Sequence, residues 1–321
     1  MKHVLTIGGG TGTFAVLSSL RHIPGLRLSA IVTTADDGGS TGHLRDAYGF
    51  LPAGDARQAL VALAEDGDVL RDLFAYRFTK SDVAGHNLGN LFLTALTDLL
   101  GSDAKALTEA SRILRVCGTV IPATDAPSTL VATLSDGTVI TNEHRIDERT
   151  KGRSPIYGLS LAESVSLSTQ AREAIETADA IILGPGDLYT STIAALLPEG
   201  TKEALSSSGA KLIYIANLFT KLGQTEGYAL SKHVEELTRY AGRAPDHIFV
   251  HSGGFSPEVL EWYRGEGEFP LIDDMTEDER VYRASLASVS VVPPLPNDPV
   301  ARSLMRHDPE LVAKALSSIL L

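Results

Sequence analysis

Cysteine is almost missing from this 321-residue chain: Cys117 is the only one. A single thiol excludes a disulfide framework and a cysteine-built zinc site. The ordinary place for such a residue is the core or a helix end. No run of Lys and Arg occurs, and 40 acidic residues outnumber 28 basic ones, for a net charge of −12. A phosphate backbone would be repelled, which argues against a nucleic-acid partner. No hydrophobic run reaches the ~20 residues of a membrane span. The apolar part of the opening MKHVLTIGGG is too short for a signal peptide, so the expected compartment is the cytoplasm. No histidines show H-x-H or H-E-x-x-H spacing. No Pro/Ser/Gly linker, internal repeat or low-complexity segment divides the chain.

What is present is an ordinary globular composition, 43% hydrophobic and 21% charged. Strand-like runs alternate with helical patterns. HVLTI precedes TGTFAVLSSLRHI, and LRLSAIVTTA precedes DARQALVALAED. Later, DAIILGPGD, AKLIYIANL and DHIFVHSGG alternate with YALSKHVEELTRYAG and SPEVLEWYRGEG. Such alternation predicts βαβ units. The expected fold class is therefore α/β: a Rossmann-like, doubly wound, mostly parallel sheet. The stretch 57–117 reads as nearly all helical, and STLVATLSDGTVITNEHRI as two strands around Asp136-Gly137, a hairpin signal. We expect one domain over 1–321, with a helical and β-hairpin insertion at about 57–150.

Ligands of open parallel sheets bind beyond the carboxyl ends of the strands. Five predicted strand ends carry glycine, hydroxyl or amide residues rather than bulky ones. The first is Gly8, Gly9, Gly10, Thr11, Gly12 and Thr13, leading into a helix. Glycine admits a ligand close to backbone N–H groups, and a helix start favours an anion, so a phosphate is expected at Gly9 to Gly12. Gly10-x-Gly12-x-x-Ala15 fits a relaxed dinucleotide pattern; no Lys follows, so it is not a P-loop. A tight turn needing glycine for packing is the alternative. GPGDLYTS supplies a second such end, with Gly184, Gly186, Asp187, Tyr189, Thr190 and Ser191. NLFTKLGQTEG, with Asn217 and Thr220, and HSGG close the set. Two cradles suggest a diphosphate.

Between them stands ADDGGSTG. Asp36 and Asp37 there could accept from ribose hydroxyls or hold Mg²⁺ on a phosphate, or act as turn caps. Gly38, Gly39 and Ser40 extend the loop. Asp55 and Arg57 open a helix, with Asp55 either its N-cap or a ligand contact. Asn87 and Asn90 begin another apolar helix, beside His86, which could be an acid–base group but is more often structural there. Gly38-Gly39-Ser40-Thr41-Gly42 mimics a hydrolase nucleophile elbow, but no long apolar helix follows.

Seven segments, in this order, resemble one family: IGGGTGTFAVLSSL, VTTADDGGSTGHLR, LPAGDARQALVALA, GHNLGNLFLTAL, ILGPGDLYTSTIAALL, NLFTKLGQTEGY and RHDPELVAKAL. They are similar to the gluconeogenesis factor family, which is related to 2-phospho-L-lactate transferase of deazaflavin-coenzyme synthesis. The resemblance implies a Rossmann-like fold and a UDP-sugar ligand such as UDP-N-acetylglucosamine, with links to carbon metabolism and cell shape and no assigned reaction. It also implies ligand roles for Tyr263, stacking on a base or sugar, and Arg306, pairing with phosphate. The transferase branch uses a guanosine diphosphate donor with Mg²⁺. It shares the Asp-Asp pair but not GGSTG or the GD-x-R helix start, both present here.

Three functions follow as expectations: a non-catalytic UDP-sugar-binding regulator, a transferase using a guanosine diphosphate donor, and, on the Gly10 pattern alone, an NAD-dependent oxidoreductase. No tightly bound cofactor is implied, Mg²⁺ is the compatible ion, and a homo-oligomer is compatible with the sequence.

Overall fold

A computed structural model describes residues 1–35, 50–65, 69–148, 154–288 and 304–321. The short apolar runs become parallel strands: β1 (Lys2–Ile7), β2 (Leu26–Val32), β3 (Gly118–Pro122), β7 (Ala180–Leu183), β8 (Lys211–Ile215), β9 (His247–His251) and β10 (Val281–Ala284). They form one seven-stranded sheet in the order β10-β9-β8-β7-β1-β2-β3. Every neighbouring pair is parallel. From β1 the chain adds strands toward β3, then returns to β7 on the other side of β1. The direction of winding thus reverses between β1 and β7.

Side chains alternate across a strand, so the sheet has two apolar faces, and both are covered. Val4, Leu28, Ala30, Val32, Ile182 and Ile213 face one layer of helices. That layer includes α1 (Gly10–Leu20), α2 (Ala53–Leu63), α4 (Leu88–Leu100), α5 (Asp103–Ile113) and α11 (Pro309–Leu320), with α3 (Val69–Ala75) at its margin. Leu5, Ile7, Ile31, Leu183, Leu212 and Tyr214 face the other layer. There stand α7 (Thr169–Thr177), α8 (Thr201–Ser207), α9 (Leu230–Ala241) and a three-stranded antiparallel sheet of β4 (Leu130–Leu134), β5 (Val139–Thr141) and β6 (Ile156–Leu161) in the order β5-β4-β6. A short helix, α6 (Glu143–Asp147), follows β5.

Local chemistry explains the ends of these elements. The hairpin turns at Gly137, whose φ of 85° suits glycine, while Asp136 accepts from the Thr138 amide at 2.8 Å. Asn87 caps α4 by accepting from the Asn90 amide, and Gly101 closes it in the left-handed region. The last helix before β10, α10 (Pro257–Glu266), has Ser256 as its cap and Pro257 at its first position.

Two expectations need correction, and two strands escape the sequence reading. The stretch 57–150 is not all insertion: β3 lies inside it and completes the main sheet, whereas β6, beyond it, completes the small one. Its helices and its hairpin cover opposite faces. Strands β3 and β10 also escape the sequence pattern, since Gly118, Pro122 and the polar pair Tyr282 and Arg283 break the apolar runs. Cys117 sits neither in the core nor at a helix end but exposed in the link from α5 to β3.

Candidate functional site: the cleft at the switch point

The glycines after β1 and β7 serve first to bring two loops together. A side chain at Gly12 would meet the Pro185 carbonyl and the Gly186 amide at 2.6 Å, and one at Gly186 would meet Ser191 and the Gly9 carbonyl within 3.0 Å. Gly184 and Gly8 both lie against the Thr13 hydroxyl, which is buried with no hydrogen-bond partner among the described residues. Gly10 has φ of 68°, a left-handed conformation that starts α1. The two turns are therefore interlocked at backbone distance, at the carboxyl ends of adjacent strands.

Asp55 reaches this junction from α2. It is the third residue of that helix, not its N-cap, which is Pro52. Its Oδ1 accepts from the Gly10 amide at 2.8 Å, 45 residues away in sequence, and its Oδ2 crowds the place a Gly9 side chain would take. The anion at the start of α1 is thus the protein's own carboxylate. Thr11 and Gly12, half-buried, follow in the first turn, where amides lack intrahelical acceptors. Ser191 stands over Gly10 from the facing loop. Two residues beyond Asp55, Arg57 is buried and donates to the Asn90 side chain at 2.9 Å, and Asn87 donates to the Ala75 carbonyl. Arg57, Asn87 and Asn90 form one network tying α2, α3 and α4. His86 is half-buried in the turn before α4, where its backbone bonds Phe78 and Val83.

The β7 loop continues into a π-helical turn, Leu188–Ile193, in which the Ser191 and Thr192 amides share the Asp187 carbonyl. Tyr189 is fully buried, its hydroxyl 3.1 Å from that of Tyr228. Thr190 is buried and accepts from Gln224. Asn217, after β8, donates to the Gly186 carbonyl at 2.8 Å and accepts from the Tyr214 hydroxyl at 3.1 Å. That hydroxyl also meets His233 Nδ1 at 3.0 Å. Since Tyr214 gives its proton to Asn217, His233 donates to Tyr214. Burial pushes the His233 imidazole down to about 4, so it stays neutral at pH 7. Thr220 is pinned to the backbone of Phe269 through both its amide and its hydroxyl.

A charged cluster flanks this loop. Lys221 lies 3.6 Å from Asp147 and is drawn also toward Asp187 and Glu268. Burial raises Asp187 to about 6 and Glu268 to about 7, against the opposing pull of Lys221. The neighbouring Asp147 carboxyl adds to the rise at Asp187. Gln224 donates to Asp147 at 2.9 Å. Of this cluster only Asp187 stands out in the sequence. Lys221, Asp147, Glu268 and Gln224 come from three separate segments with no shared spacing. Among the described residues no group of three or more His, Cys, Asp or Glu is arranged to hold a metal ion.

The family model described as 2-phospho-L-lactate transferase CofD matches residues 4–290. The gluconeogenesis factor of Halalkalibacterium halodurans is 36% identical over 98% of this chain and 95% of that protein. The gluconeogenesis factor of Bacillus subtilis is 36% identical over 99% of this chain and 98% of that protein. A crystal structure of a UPF0052 family member from Bacillus halodurans matches with a TM-score of 0.88 at 35% identity, over 98% of this chain and 99% of that one. The chain belongs to the CofD family, with the gluconeogenesis factors.

The two residues that family resemblance singles out stand in different settings. Tyr263 is 1% exposed. Its ring stacks on Phe219 at 3.7 Å and its hydroxyl accepts from the Met305 amide, so it packs against protein rather than lying open to a base or sugar. Arg306 is half-buried, and its carbonyl accepts from Ser288. Asp36, Asp37, Gly38, Gly39 and Ser40, the family's acidic loop and the expected Mg²⁺ position, lie outside the described residues. No described helix is long and apolar enough to cross a membrane.

Proposed function

We propose that the cleft over the carboxyl ends of β1, β7 and β8 binds a nucleoside diphosphate, with a UDP-sugar such as UDP-N-acetylglucosamine as the natural ligand. The observation that carries this reading is the pair of interlocked glycine turns at the strand-order reversal between β1 and β7, where open α/β sheets receive their ligands. With Asp55 on the Gly10 amide, the diphosphate takes the Thr11 and Gly12 amides and the Ser191 hydroxyl. Asp55 and the Asp187 cluster make the surroundings acidic, so a diphosphate needs a cation there. Mg²⁺ on Asp36 and Asp37 meets that need, since Mg²⁺ prefers one or two carboxylates plus phosphate oxygens. On this reading the protein is a cytoplasmic nucleotide-sugar sensor linking carbon metabolism to cell shape.

Thermal unfolding with UDP-N-acetylglucosamine, UDP, GDP and NAD, each with Mg²⁺ and with chelator, tests it. A ligand at a hundred times its Kd adds about 2.7 kcal/mol of stability. Uridine ligands should raise the melting temperature, and Asp36→Asn or Asp37→Asn should weaken that rise when Mg²⁺ is present. A rise with GDP alone would move the chain to a second reading, transfer from a guanosine diphosphate donor. The feature favouring that alternative is the Asp187 carboxyl, which burial raises to about 6 beside Lys221 in the loop after β7.

A further inference from the structure

Helix α4 carries its polar and apolar residues in reverse. Its buried positions are Gly89, Asn90, Leu93 and Thr97, only one of them large and apolar. This inner face serves close approach and the Arg57 network: a side chain at Gly89 would meet the Phe74 carbonyl at 2.6 Å, and Asn90 accepts from Arg57. The opposite face carries Leu88, Leu91, Phe92, Ala95 and Leu99. Leu99 is 78% exposed, Ala95 is exposed, and Leu88, Leu91 and Phe92 are half-buried. Asp98 is the single charge among the 13 residues of the helix. A helix apolar on its solvent side is ordinarily a covered one. The face continues onto α3. The Leu88 amide donates to the Tyr76 carbonyl at 2.8 Å, which sets the end of α3 against the start of α4. Val69, Leu73 and Tyr76, at i, i+4 and i+7, are exposed there.

We propose that this α3–α4 face is the contact between two copies of the chain, packed α4 on α4 and antiparallel about a two-fold axis. A second copy fits for three reasons. Size is the first. The face is about 20 Å long and two helix diameters wide, roughly 400 Å² in outline, which is the scale of a patch that marks a partner. With its polar rim it approaches the ~800 Å² that each side gives a standard interface. Composition is the second. Copies that each carry a net charge of −12 repel one another, so they meet best where acid is scarce, and α4 offers one carboxylate and neither Lys nor Glu. Charge placement is the third. Asp98 stands near the end of α4. At the start stand the positive end of the helix dipole and Arg77, which bridges to Asn87 and donates to the Gly85 carbonyl at 2.7 Å. Antiparallel packing brings each Asp98 to the partner's Arg77, whereas parallel packing would set Asp98 against Asp98.

Sedimentation of the full chain without nucleotide tests this, so the outcome does not depend on the ligand reading. The wild type should be a dimer at about 10 µM, and Leu99→Glu and Ala95→Glu should each raise the dimer dissociation constant about a hundredfold or more while keeping the far-UV circular dichroism of the parent. Both positions are exposed within one copy, and if one variant fails to fold the other decides. A short bismaleimide applied to Cys117→Ser chains checks the orientation. Ala95→Cys lies near the axis and should link to its own copy. Two Leu99→Cys thiols stand about 20 Å apart in the antiparallel pair and should not link. A wild type that stays monomeric at about 100 µM, or a folded glutamate variant that dimerises as tightly as the parent, overturns the proposal. Leu99→Cys linking as fast as Ala95→Cys overturns the antiparallel packing.

Discussion

The two sides of the switch-point cleft hold their charges by opposite means. On the β1 side, Asp55 accepts from a backbone amide and Arg57 donates to a neutral carboxamide. Each of these bonds sets a charge on a fixed dipole, and each ties one helix to another. On the β7–β8 side, Asp147, Asp187 and Glu268 crowd around Lys221, and two of the three carboxyls rise toward neutrality. The first arrangement is bracing. The second is a reservoir of protons and negative charge next to the loop that would carry a diphosphate. A buried charge set on fixed dipoles keeps its charge, whereas like charges brought together must shed some of it as pH allows.

The comparison breaks most severely if the junction between the two sides is forced apart. Gly12→Ala puts a methyl at 2.6 Å from the backbone of Pro185 and Gly186, atoms that cannot yield without moving the β7 loop. Urea denaturation should show a loss of about 3 kcal/mol, and Gly209→Ala, where an added Cβ meets nothing, should lose far less. Lys221→Met comes next. Removing the cation from three carboxylates should cost about 2 kcal/mol at pH 8, discounted from the usual 3–5 because Lys221 and Asp147 are 26% and 32% exposed. The loss should shrink at pH 5, where Asp187 and Glu268 hold protons.

On the β1 side, Asp55→Ala leaves the Gly10 amide without its acceptor. A loss of about 1.5 kcal/mol is expected, with Asp55→Asn recovering most of it because an amide oxygen also accepts. The smallest effect sharpens the contrast in pH. Asp187 and Glu268 keep protons in the folded state that the unfolded chain has already released, so the folded state binds more protons and stability falls as pH rises from about 4 to about 7. Glu268→Gln should flatten that decline and gain about 1 kcal/mol at pH 8, with little change at pH 4. A decline as steep in the variant as in the parent would remove Glu268 from the reservoir.

Much of this architecture is legible in residue order. Alternating apolar runs and helical patterns mark β1, β2, β7, β8 and β9, and Asp136-Gly137 marks the hairpin, because strand pleat and turn conformation are local demands. Strands β3 and β10 are not legible. Their pairing partners supply the edge that makes them strands, and their own residues are mixed. For the site, the glycine turns stand out, but their nearest use does not: the loops need glycine first to touch each other.

By itself, then, the sequence determined the parallel α/β layout, the glycine-rich strand ends and the acidic balance, because each follows from short-range periodicity or composition. Only the tertiary structure decided which groups meet. It brought Asp55 to the Gly10 amide across 45 residues and gathered Asp147, Asp187 and Glu268 around Lys221. It stacked Tyr263 on Phe219, where the resemblance had implied a surface for ligand. Charge partners and stacked rings come from elements whose separation along the chain is arbitrary, so no spacing in the sequence encodes them. They exist only once the sheet has set the strands side by side.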